Sequence, residues 1–304
     1  MGRGWRSVLV ANGTLRAPWR LLLFVALFGL LSVLAGLLAA ALLGARPTGK
    51  AILLWQAVPL ASALGAGWIL LTTVDRRPAG ALGFAWTSHT PRDLGAGLAI
   101  GGGALAVVVG AMMAAGWVAY RPDAGAAGVF VATVLFDLAA FSVAAAFEEA
   151  LFRGYPFQVL ARAIGPVTAT LLMSAAFAAA HVRNPNVDGL GLLNIFLAGV
   201  LLSAAYLRTR SLWFATAVHV GWNWTMASLF DLPVSGLAFF DTPLYEPALA
   251  GPDWVTGGAF GPEGGVGASV AFALALLAVL QLPGLGEAPE MRALGPLVDR
   301  GDMD

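Results

Sequence analysis

Ionisable residues are scarce in this chain, and its apolar stretches still contain Asp137, Glu148, Glu149, Arg153, His181 and His219. A charge in such surroundings is costly unless it is paired or used. Glu149 and Arg153 are four residues apart, so on a helix they share a face and can form an ion pair. Glu148 points about 100° away and has no such local partner. Gly165-Pro166 reads as a tight turn between two antiparallel helices. Glu148 lies 17 residues before Gly165 and His181 lies 16 after it. At ~1.5 Å per residue both sit roughly 25 Å from the turn, which sets the carboxylate opposite the imidazole. His219 and Asn223, in "HVGWNW", are again four apart and share a face. Two imidazoles, an amide and an unpaired carboxylate, in a chain with only three histidines, mark a candidate functional site. Glu148, His181 and His219 could alternatively hold zinc, although no HExxH motif is present. The plainer reading is that each polar group solves its own burial problem. Asp137, eleven residues before Glu148, is expected to be structural or solvated, and Asn194 to bond between helices. His89, in "WTSHTPRD", is assigned no role.

The elements that must position these residues are transmembrane helices. Of 304 residues 59% are hydrophobic and 11% charged, against about a quarter charged in soluble domains. Apolar runs of ~20 residues separated by polar breaks predict an all-α polytopic membrane protein. About eight helices are expected, over 21–44, 51–73, 94–119, 129–162, 166–183, 189–207, 211–230 and 266–282. The first run is too long for a cleaved signal peptide and is taken as a retained span. Gly97 and Gly101 have the spacing of close helix packing. The expected division is three N-terminal spans over 1–128, a catalytic core over 129–230, an external loop over 231–265, and a last span with a tail over 266–304. The loop holds no Lys or Arg and reads as irregular; the tail after Pro283 is expected to be short, polar and poorly ordered.

With a cytoplasmic N-terminus, Arg3, Arg6, Arg16, Arg20, Arg76, Arg77, Arg92, Arg153, Arg162, Arg208, Arg210, Arg292 and Arg300 lie inside. Arg46, Lys50, Arg121 and Arg183 complete the 17 basic residues and lie outside. That asymmetry predicts both termini in the cytoplasm. The absence of cysteine excludes disulfides, thiolate metal sites and cysteine nucleophiles. Zero formal net charge gives no indication of nucleic acid. Arginine over lysine, with excess Ala and Gly, is a hint of a GC-rich bacterial source.

The three polar segments resemble the CPBP family of intramembrane endopeptidases, also called ABI, which includes the type II CAAX prenyl endopeptidases. Its EExxxR motif is matched by Glu148, Glu149 and Arg153, its FxxxH by Phe177 and His181, and its HxxxN by His219 and Asn223. The resemblance covers residues 130 to 230 and is complete at the motif positions. It implies peptide bond hydrolysis by water activated within the membrane. Glu148 would be the base, with His181 positioning the water. His219 and Asn223 would polarise the carbonyl, and Glu149, Arg153 and Phe177 would support the helices. It implies a peptide or membrane-protein substrate, such as a prenylated, signalling or bacteriocin-type peptide, in the lipid bilayer of a cell. A metal-free mechanism is favoured on that resemblance, with zinc on Glu148, His181 and His219 as the alternative. A proton-coupled transporter would spread polar residues along a path and often repeat a half. Here they gather at one depth, and no repeat is visible. A non-catalytic membrane scaffold is the other alternative.

Overall fold

The computed structural model describes residues 9–11, 14–44, 51–238 and 241–298. Arg3, Arg6, Arg46, Lys50 and Arg300, used in the charge count, lie outside the described residues. The chain is a helical bundle built from α1 (Ala17–Leu43), α2 (Ala51–Thr73), α3 (Thr90–Ala114), α4 (Ala127–Phe152), α5 (Tyr155–Ile164), α6 (Pro166–Ala180), α7 (Gly189–Thr209), α8 (Leu212–Trp224) and α9 (Val266–Gln281). One π-helical turn, Thr225–Leu229, continues α8. One hydrophobic cluster runs through the bundle from Phe24 to Val298.

All eight apolar segments are helical, but fewer than eight are long enough to cross a bilayer. Five stretches qualify by length and composition: α1, α2, α3, the joined Ala127–Ile164, and α7. The 15 residues of α6 and 16 of α9 reach only ~22–24 Å, less than the ~30 Å hydrocarbon core.

The expected continuous helix over 129–162 is broken. It ends at Phe152, and Arg153 and Gly154 lead into α5. Two features of "FRGYPF" cause this. Pro156 has no N–H and its ring would strike the carbonyl four residues back in a continuing helix. A Cβ on Gly154 would lie 2.2 Å from the Ala150 carbonyl oxygen, so only glycine fits the corner. The turn at Gly165 does form, with a left-handed φ of 83°. It joins α6 to the short α5 and not to the helix carrying Glu148.

The small-residue spacing brings backbones into contact. A Cβ on Gly101 would lie 2.0 Å from the Val218 carbonyl, and one on Gly221 would lie 2.6 Å from the Leu98 carbonyl. Helices α3 and α8 therefore touch main chain to main chain, which sets the depth and rotation of His219 and Asn223.

The loop expected to be irregular carries a paired strand, and the tail expected to be poorly ordered packs on the bundle over its described residues 283–298. Strand β1 (Val118–Pro122) pairs antiparallel with β2 (Tyr245–Leu249), with Val118 opposite Leu249. The tail folds back across the bundle, burying Leu285, Met291, Leu297 and Val298. Gln158 anchors it by accepting from Leu297 N at 3.0 Å, while its amide donates to the Ala81 and Leu82 carbonyls, each at 3.1 Å. Arg92 donates to the Gly284 carbonyl, and Glu290 accepts from Ser88 N and Oγ. The apolar positions, four of them spread over fourteen residues, were too sparse to read as a helix face.

Candidate active site

Glu149 and Arg153 sit at the end of α4, both fully buried, with Arg153 Nη1 3.1 Å from Glu149 Oε1. The expected pair is therefore present, and it is part of a larger network. Arg153 Nη2 donates to the Gly199 carbonyl at 3.0 Å, and Nε reaches Ser203 Oγ at 3.5 Å. Its guanidinium lies 4.6 Å from the centre of the Phe177 ring. The same Glu149 oxygen also accepts from His219 Nδ1 at 3.0 Å. Glu149 thus joins α4 to α8, a contact that motif spacing within one helix could not reveal. With its Nδ1–H directed at Glu149, the His219 ring presents Nε2 to the other side.

That other side holds Glu148. His219 Nε2 lies 3.7 Å from Glu148 Oε2, and that oxygen is buried without a hydrogen bond. The Glu148 side chain is 28% exposed, so the rest of its carboxylate faces open space. The adjacent glutamates differ as helical geometry requires: one points into the protein and the other into a cavity.

His181 lies just past the end of α6. Its Nδ1 stands 2.7 Å from the Phe177 carbonyl, so Nδ1–H donates there and Nε2 is left as an acceptor. Phe177 is the common spacer of the site. Its ring centre is 4.7 Å from that of His181, 6.1 Å from that of His219, and 5.2 Å from that of Phe152.

Glu148, His181, His219 and Asn223 all line one cavity of about 560 Å³ whose walls are mostly apolar. Glu148 and His181 line this same cavity even though the helix meant to align them is broken. Asp137 lies apart and is buried, its Oδ2 accepting from Ser228 Oγ at 2.9 Å. Asn194 bonds the Glu263 and Gly265 carbonyls and accepts from Ser269, as an interhelical tie. His89 meets the Gly286 carbonyl of the tail.

Sequence reasoning missed the cavity's other polar wall. Glu263, from the loop before α9, accepts from Trp222 Nε1 at 3.0 Å, Ser235 N at 2.8 Å and Ser235 Oγ at 2.6 Å. Asn184 Nδ2 donates to the Ser235 carbonyl at 3.0 Å. Asn184, Ser235 and Glu263 all face the cavity. Nothing local in "GPEGG" distinguishes this acid from a solvated one, because its partners lie 28 and 41 residues away.

The zinc alternative fits poorly. Tetrahedral zinc at ~2.0–2.1 Å from its ligands brings their donor atoms within roughly 3.5 Å of one another. Among the described residues, the one group of three or more His, Asp or Glu whose ligand atoms converge within 4.8 Å is Asp231, Asp241 and Glu246. Glu148, His181 and His219 do not converge in that way.

Neither a curated protein nor a solved structure matches the chain. Residues 130–225 match the family described as type II CAAX prenyl endopeptidase, Rce1-like. That segment runs from α4 through α8 and contains all seven motif residues. The match covers about a third of the chain and supports CPBP family membership through residues 130–225.

Proposed function

We propose that the protein is an intramembrane endopeptidase of the cell membrane that hydrolyses a peptide bond with water activated by Glu148. One observation carries this reading: four side chains able to do the chemistry line a single apolar cavity. Glu148 removes a proton from water held between its carboxylate and His181 Nε2. The hydroxide adds to the scissile carbonyl carbon, and negative charge moves from Glu148 to the new oxyanion. Asn223 donates to that oxygen through its amide. His219 donates through Nε2 when its ring carries both protons, since Nδ1–H is already committed to Glu149. As the C–N bond breaks, Glu148 returns the proton to the leaving amine. One water is consumed and no charge is created. The apolar walls exclude bulk water, which strengthens each electrostatic contact.

Glu149 and Arg153 then act through others. Glu149 fixes the His219 ring, and Arg153 offsets the charge of Glu149. These steps are written without a metal: cleavage that survives chelation is the expected result, and recovery only on adding a divalent metal would overturn it. The substrate is a peptide or a segment of a membrane protein. The test is trapping: the Glu148→Gln protein is expected to retain a bound polypeptide that wild-type protein cleaves on addition. Recovery of a polypeptide that wild-type protein leaves intact would count against the reading.

A further inference from the structure

A second polar cluster lies away from the cavity, where the chain leaves α8. The π-helical turn ends at Leu229, and Asp231 follows it. Asp241 lies in the next loop and Glu246 on β2. One carboxylate oxygen from each of these three acids lies within 4.8 Å of the other two. Asp123 adds a fourth negative charge that acts on Asp231 and Glu246. Arg121 stands opposite Glu246 in the ladder, but none of the ion pairs among the described residues involves it. The loop over 231–265 supplies no Lys or Arg to offset the acids. A hydroxyl is left over as well. Thr242 is 1% exposed, and its N–H donates to Asp231 Oδ1 at 2.8 Å. Its Oγ1 lies beside the same carboxylate, yet it is buried and makes no bond of hydrogen-bond geometry. Buried polar atoms seldom go without a partner, and this one calls for an occupant.

We propose that Asp231, Asp241, Glu246 and the Thr242 hydroxyl form a calcium site that fastens the β1–β2 ribbon to the end of α8. All four donors are hard oxygens, which suit calcium or magnesium and not zinc. Size favours calcium. Ligands about 2.3–2.6 Å from calcium span up to roughly 4.6–5.2 Å across the ion, so atoms within 4.8 Å of one another fit as they stand. Magnesium, with ligands at about 2.0–2.1 Å, allows only roughly 4.2 Å. Asp241 and Glu246 are exposed, so water can complete the shell of about six to eight oxygens. The join is already made in part by neutral bonds: Tyr120 donates to the Phe230 carbonyl at 2.9 Å and Tyr245 to the Leu229 carbonyl at 2.8 Å. A cation there adds a charged tie and removes the repulsion among the acids. None of the three acids lines the cavity. Calcium therefore acts on stability, and turnover per folded molecule survives its removal.

The test uses the full chain in micelles of a neutral detergent, stripped of divalent ions, with calcium chloride as the probe. Equilibrium dialysis with radioactive calcium is expected to find one site per chain with a Kd on the order of 10⁻⁴ to 10⁻³ M. At roughly 10 mM calcium the folded-to-unfolded ratio should rise about 10- to 100-fold, and amide exchange in the β1–β2 ladder should slow. Glu246→Gln and Asp241→Asn, both at exposed positions, should each weaken calcium binding at least about tenfold, since affinity follows ligand charge. Neither should lower the stability of the calcium-free protein, because each removes a repelled charge. Thr242→Val should also weaken binding, which a diffuse ion cloud would not show. The inference is overturned by the absence of a stoichiometric site at millimolar calcium, by equal binding of magnesium, or by unchanged affinity in Glu246→Gln. It is overturned too if sodium at matched ionic strength stabilises the protein as much as calcium does, since the acids would then attract counterions without forming a site.

Discussion

Replacing Glu149 with Gln separates its two contacts, and the structure allows the consequences to be estimated. Arg153 is fully buried, and its other partners are the neutral Gly199 carbonyl and Ser203 hydroxyl. Stranding it without its carboxylate is expected to cost about 3–5 kcal/mol. Arg153→Leu should cost less, because Glu149 keeps its bond to His219 and the Gly199 carbonyl keeps the Ser203 hydroxyl at 2.8 Å. The double variant leaves no buried charge stranded and should regain part of the loss. Turnover should behave differently. The Glu149 bond orients the ring of His219 and opposes its charge when both nitrogens are protonated. Losing a bond of ~1.5–3 kcal/mol lowers the rate roughly 10- to 100-fold per folded molecule. That loss should persist in the double variant. The assay is reversible unfolding in mixed micelles, alongside cleavage of the trapped substrate normalised to folded protein. The reasoning fails if the double variant loses as much stability as the two single losses added together, or if Glu149→Gln cleaves at the wild-type rate.

Three further outcomes follow. Gly101→Ala places a methyl 2.0 Å from the Val218 carbonyl, so α8 must shift; the expected cost is at least ~2 kcal/mol with loss of turnover, read by thermal unfolding and cleavage. Outside the membrane, burial, with the Asp241 and Asp123 carboxylates behind it, raises the pKa of Asp231, and Asp231 in turn is the chief cause of a raised pKa at Glu246. Groups with raised folded-state pKa values contribute stability below their unfolded pKa of about 4 and lose it as pH rises through the folded value; amide exchange in the β1–β2 ladder should therefore quicken as pH rises through that window, after correction for intrinsic exchange, and Asp241→Asn should flatten the dependence. Reporter fusions after Gly251 should report the outside and fusions at Asp304 the cytoplasm, as the arginine distribution predicts if the short α9 crosses; the same side for both would show that α9 does not cross.

Within single helices the sequence was a good guide. The i, i+4 spacings of Glu149 with Arg153 and of His219 with Asn223 translate into an ion pair and a shared cavity wall, because helical geometry alone decides them. Gly97 and Gly101 likewise mark the α3–α8 contact. That Glu148 and His181 line one cavity was anticipated from a hairpin that does not exist in that form. Counting residues assumed an unbroken helix to Gly165, whereas Gly154 and Pro156 in "FRGYPF" break it. That signal was readable, but the continuous hydrophobicity on either side obscured it. What was not readable are bonds between distant elements: Glu149 to His219, Glu263 to Trp222, and Gln158 to the tail. Each joins residues at least 41 positions apart, and no local period carries such information. Apolar composition marks burial in lipid and burial in protein alike, so helix length is what separates the five long stretches from the shorter α6 and α9.

The central claim is that Glu148, and not its neighbour, takes the proton of the attacking water. It is tested most directly by single-turnover cleavage with Glu148→Gln in membranes, beside a measurement of its unfolding. Glutamine keeps the size of the side chain and one carbonyl acceptor but cannot take the proton. Glu148 is partly exposed to the cavity and its Oε2 makes no hydrogen bond, so little stability is at stake. The account predicts a fall in rate of at least about 100-fold, with stability within ~1 kcal/mol of wild type. Near-native cleavage by the folded Glu148→Gln protein would contradict it.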